Sequence, residues 1–116
     1  MAARCRFTGD SPEAVRQFRE AARLAPRDDT ILIALANALQ DQDRTEEAAT
    51  ELRRAIALNP NAADAHNNLG VALGMLGRLD QAVEQFRRAL QIRPDYQDAQ
   101  RNLAAALQAI GSSARR

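Results

Sequence analysis

The chain has 116 residues, 46% of them hydrophobic but only 3% aromatic, with no Trp, which is material for one domain with an aliphatic, Ala-rich core. That composition suits closely spaced helices better than a sheet, which draws on β-branched and aromatic residues. Sixteen basic residues against fifteen acidic ones leave a net charge of +1, so nothing pulls the chain as a whole toward nucleic acid or an anionic membrane, and neither is expected as a partner.

From the N-terminus, MAARCRFTGD places charges where a signal peptide needs an apolar stretch. Cys5 is the only cysteine, which excludes an intrachain disulfide and a multi-cysteine metal site. A helical remnant is expected over roughly residues 2–8. In GDSPEA, Ser11 can cap a helix, Pro12 suits its first position and Glu13 favours its dipole. They open a helix at about residues 12–24, with Ala14, Phe18 and Ala21 on one face.

Apolar residues at three- and four-residue steps then predict helices at about 29–41 (Leu35, Ala38, Leu39), 45–58 (Ala48, Leu52, Ala55, Ile56) and 63–75 (Leu69, Ala72, Leu73). Two more follow at about 79–92 (Ala82, Phe86, Ala89, Leu90) and 97–110 (Leu103, Leu107, Ile110). No run approaches the ~18 apolar residues of a membrane span. All sixteen basic residues are Arg, which reads as the codon usage of a GC-rich genome.

These elements repeat. Pro26, Pro60 and Pro94 stand 34 apart, and the same step aligns Ala14, Ala48 and Ala82, then Phe18, Leu52 and Phe86, then Ala21, Ala55 and Ala89. It also aligns Leu35, Leu69 and Leu103, and Ala36, Gly70 and Ala104. Gly9, Gly77 and Gly111 share a column between paired helices, where a turn wants positive φ, and Asp43 holds that column in the first full unit. The prolines stop helices. The unit is helix–turn–helix, and each copy buries its apolar face only by stacking on neighbours.

Residues 62–96 resemble a tetratricopeptide repeat (TPR): Leu69-Gly70, Ala72, Leu73, Gly77, Ala82, Phe86, Ala89 and Pro94 meet the family pattern. Residues 29–62 match through Leu35-Ala36, Leu39, Ala48, Leu52, Ala55 and Pro60, but lack both glycines and the aromatic. The repeats are similar to those of bacterial TPR proteins and of O-GlcNAc transferases. A pentatricopeptide RNA-binding array has a 35-residue period and fits less well. The resemblance implies an all-α solenoid, a right-handed superhelix of antiparallel helix pairs, concave along first helices. It would comprise one domain over 1–111, with a partial repeat (1–28), repeats at 29–62 and 63–96, a capping helix (97–111) and a polar tail (112–116).

Catalytic chemistry finds little to work with. His66, the only histidine, sits in the column of Leu32 and Gln100 and reads as packing between helices. Glu13, Glu46, Glu47 and Asp80 lie in first turns, where carboxylates suit the helix dipole. Arg53-Arg54 and Arg87-Arg88 read as a solvated convex face. Neither an enzyme, a metal nor a cofactor is expected.

The resemblance instead implies a peptide-binding groove lined by first helices. Its residues would be Ile33, Asn37, Gln40 and Asp41, then Asn67, Asn68, Val71 and Met75, then Arg101, Asn102, Ala105 and Gln108, with Asp64 and Asp98 beside them. Amides both donate and accept, so Asn68 and Asn102, one repeat apart, would pair with an extended backbone. Carboxylate-tail capture, another mode of the family, is not expected. Asn37 and Asn68 match it, but Ile33, Asp98 and Asn102 stand where its basic residues belong.

A cytoplasmic protein–protein interaction module, or a soluble piece of a larger protein, is the leading expectation. A self-assembling scaffold and an accessory segment of a larger enzyme are the rivals. Gln97, Gln100 and Gln108 make the last helix a polar cap. The first edge, where Met1, Ala2 and Cys5 cover little of Ala14, Phe18 and Ala21, is the expected site of homo-oligomer contact.

Overall fold

The computed structural model describes residues 12–114. The expected remnant at 2–8, the Ser11 cap, Gly9, and Met1, Ala2 and Cys5 therefore lie outside the described residues, as does the end of the polar tail. Within them the chain forms six α-helices and no strand: α1 (Pro12–Leu24), α2 (Asp29–Asp41), α3 (Thr45–Leu58), α4 (Ala63–Met75), α5 (Leu79–Ile92) and α6 (Gln97–Ala114). None of the described helices is long and apolar enough to cross a membrane.

Two compact units divide the chain, one through Pro60 and one from Asn61. In the first, α2 packs against α1 and α3; in the second, α5 packs against α4 and α6. The leucines of the repeat columns are the core. Leu35, Leu39 and Leu52 of the first unit and Leu69 and Leu73 of the second are the largest fully buried side chains, each contributing about 1.5–3 kcal/mol on leaving water. Ala48, Ala55, Ala82 and Ala89 have no exposed surface; at such positions a larger side chain would hold the packed helices apart. Val15 on α1, Ala49 on α3 and Val83 on α5 are buried as well, and they stand in one further column of the same 34-residue step.

The turns explain the helix bounds. In the α2–α3 and α4–α5 pairs the turn that closes the first helix also opens the second. Asp43 N–H donates to Gln40 C=O and Arg44 N–H to Leu39 C=O, with Asp43 at φ 61°. Gly77 N–H donates to Gly74 C=O and Arg78 N–H to Leu73 C=O, with Gly77 at φ 81°. This is the left-handed closure that satisfies the last helical carbonyls. Arg44 and Arg78 then accept from Ala48 N–H and Ala82 N–H, both at 3.0 Å, starting α3 and α5. Pro60 and Pro94 act one residue ahead of themselves. Asn59 (φ −141°, ψ 89°) and Arg93 (φ −134°, ψ 90°) are extended, as a residue before proline must be, so α3 and α5 end there. Asp28 caps α2 by accepting from Thr30 N–H at 3.1 Å.

One boundary departs from expectation. α6 continues to Ala114 and takes Gly111 into the helix, without the positive φ of Gly77. The column asks for a turn only where a second helix folds back, and no second helix follows α6 among the described residues. For the same reason Leu107 is 43% exposed although its columnar equivalents Leu39 and Leu73 are buried. The last helix is thus less polar on its surface than its glutamines suggest.

Candidate functional site

The α4–α6 face of the second unit is built by α5. His66 Nδ1 donates to Gln85 Oε1 at 2.8 Å, tying α4 to α5, and the imidazole is buried. The histidine thus packs between helices. Gly70 completes the fit: a Cβ there would lie 2.5 Å from Phe86 Cε1, so the ring occupies the space a side chain would need.

A polar link joins α4 to α6. Asn102 Nδ2 donates to Asn67 Oδ1 at 3.0 Å, and Asn67 also hydrogen-bonds the Tyr96 phenol. Tyr96 sits at the α5–α6 turn with the Arg93 guanidinium 4.4 Å from its ring centroid. Burial, then the Asp64 carboxylate, pushes the phenol above its ordinary pKa. Gln100 Nε2 closes the same turn by donating to Pro94 C=O at 2.9 Å.

The expected groove residues fall into three environments. Ile33 and Asn67 are buried and offer little surface; Asn67 spends its amide on Asn102 and Tyr96. Gln40, Asn68, Val71 and Asn102 are half-buried. Asn37, Asp41, Met75, Arg101, Ala105 and Gln108 are exposed, Arg101 pairing with Asp98. Of the two amides Asn68 and Asn102, Asn102 is tied to α4, since one of its N–H groups donates to Asn67.

What the second unit brings together is an apolar pocket of about 270 Å³. Val71, Gly74 and Met75 of α4 face Ala105, Ala106 and Ala109 of α6, with Leu79 and Phe86 of α5 beneath and Asn102 the one polar contributor. Met75, 59% exposed, stands at the rim. Periodicity did not single out Gly74, Ala106 or Ala109. The available signal was Gly74 itself, because a mid-helix glycine costs about 1 kcal/mol against Ala and usually has a packing or functional reason. No atom lies within 4 Å of a Cβ added to Gly74, so its bare backbone opens the pocket and relieves no clash.

Elsewhere, Ala14, Phe18 and Ala21 are half-buried on α1. Arg54, expected on a purely solvated face, pairs at 3.0 Å with Glu51, whose side chain is buried. No cluster of three His, Cys, Asp or Glu residues suited to a metal ion occurs among the described residues.

A family model for the tetratricopeptide repeat matches residues 33–96, more than half of the chain. The chain belongs to the TPR family. The first TPR domain of Spaghetti (RPAP3), solved with an HSP90 peptide, superposes with a TM-score of 0.83 at 23% identity, over 85% of this chain and 79% of that one. The TPR domain of Sgt2 from Aspergillus fumigatus gives a TM-score of 0.85 at 21% identity, covering 89% and 70% of the two chains. A mutant O-GlcNAc transferase from Thermobaculum terrenum is 34% identical with a TM-score of 0.77, over 81% of this chain. The match spans 18% of that enzyme's length. A search of curated proteins finds no match. These TPR neighbours share the all-α helical repeat seen here.

Proposed function

We propose that the chain is a protein-interaction module, without catalysis of its own, that takes a segment of another polypeptide on the α4–α6 face. The observation that carries this is the apolar pocket with Asn102 in its lining, and Asn68 stands on α4 about one helical turn before the lining residue Val71. One apolar side chain of the partner fills the pocket, and the amides meet its extended backbone. The bond from Asn102 Nδ2 to Asn67 holds that side chain in place and leaves Oδ1 to accept from a partner N–H. A TPR domain solved with an HSP90 peptide supports peptide capture by this fold. With Ile33, Asp98 and Asn102 in place of basic residues, an internal segment fits better than a C-terminal carboxylate.

Selection from a random-heptapeptide phage library, followed by anisotropy with the labelled winner, tests the reading. Met75→Glu and the pair Asn68→Ala/Asn102→Ala should each weaken binding about tenfold or more. Arg87→Ala/Arg88→Ala should not. Loss confined to the arginine variant would move the site off this face.

A further inference from the structure

The first unit holds a larger cavity, about 600 Å³, that no groove residue lines. Its walls come from α1 and α3 and its floor from α2: Ala22, Leu32, Leu35, Ala57 and Leu58 make it apolar. Its charged lining is Arg19, Arg23, Arg54 and Glu51, three guanidinium groups to one carboxylate. The single carboxylate is engaged, since Glu51 Oε1 takes Arg54 at 3.0 Å with its side chain only 9% exposed. Arg19 reaches Glu47 at 3.6 Å and Arg23 pairs with Glu20, but neither glutamate lines the cavity. Both pairs are exposed and contribute little, so a better-placed carboxylate displaces them readily. A guanidinium presents a planar fork of donors matched to a carboxylate, and the volume falls in the range of small-molecule sites.

We propose that this cavity binds a small amphiphilic carboxylate, its apolar chain on the leucine floor and its head between Arg19, Arg23 and Arg54. The proposal is independent of the peptide site on α4 and α6.

Sodium decanoate and decyltrimethylammonium, both below their micellar limits, are the probes, followed by amide shifts in nuclear magnetic resonance. Decanoate should saturate, with the largest shifts at Ala22, Leu32 and Ala57. The cationic amphiphile should bind at least about tenfold more weakly. Arg19→Gln/Arg23→Gln, which alters only exposed ion pairs and should keep its helicity by circular dichroism, should cut decanoate affinity about tenfold. Asn68→Ala should leave decanoate binding unchanged, which separates this site from the peptide face. Equal binding of the two amphiphiles, shifts centred on α4 and α6, or no saturation would overturn the proposal.

Discussion

The two helix pairs α2–α3 and α4–α5 solve one packing problem in two ways. Where α2 and α3 carry Ala36 and Leu52, both fully buried, α4 and α5 carry Gly70 and Phe86 one repeat later. The second pair has moved a methyl group's worth of space from one helix to the other and spent it on a ring. At the turn the allotment also differs, Asp43 at φ 61° against Gly77 at φ 81°, on the same pair of closing hydrogen bonds. The lesson is that the repeat specifies summed volume and backbone path, while single residues are exchanged in compensated sets. A glycine in one column is meaningful only with the aromatic in another.

The sharpest way to break that comparison is to separate the compensated pair. Gly70→Ala puts a Cβ against Phe86 at 2.5 Å and should cost about 1–3 kcal/mol, partly offset by about 1 kcal/mol of helix propensity. Adding Phe86→Leu to Gly70→Ala reproduces the Ala36/Leu52 combination and should recover most of the loss. Urea denaturation of both single variants and the double one measures the coupling, and strictly additive effects would show that the two positions are independent.

The turn substitutions come next. Gly77→Ala should destabilise by about 1 kcal/mol, because a Cβ disfavours left-handed backbone, while Asp43→Gly should stabilise by somewhat less. Thermal midpoints moving in opposite directions are the expected result, and two shifts of the same sign would defeat it. Smallest is Gly74→Ala, where no neighbour lies within 4 Å of the new Cβ. It should raise stability by about 0.5–1 kcal/mol, while adding a methyl group to the α4 side of the pocket.

Five helices match their sequence-based ranges residue for residue because their signals are local. Prolines force the preceding residue out of helix at Asn59 and Arg93, and the Asp43 and Gly77 column sets the left-handed closure. The end of α6 was not legible from the same glycine column, since Gly111 acts as a turn only against a helix that folds back. The site was legible as a face but not as a set of contacts. Asn67 and Asn102 were both visible as amides on successive first helices. That one donates to the other depends on how α5 sets α4 beside α6, a distance no periodicity encodes. Ala22, Leu32, Leu35, Ala57 and Leu58, which with three arginines line the cavity of the first unit, come from three helices and share no column.

Tyr96 has a use beyond its hydrogen bond. The chain contains one Tyr and no Trp, so its intrinsic fluorescence comes almost entirely from one phenol at the α5–α6 turn. That light reports on the second unit alone, whereas the far-ultraviolet dichroism of the peptide bonds sums over the helices of both units. The molecule therefore carries its own local thermometer beside a global one. Following both through a urea titration asks whether the units melt as one cooperative body, with coincident midpoints, or in sequence, as the one-dimensional logic of stacked repeats permits.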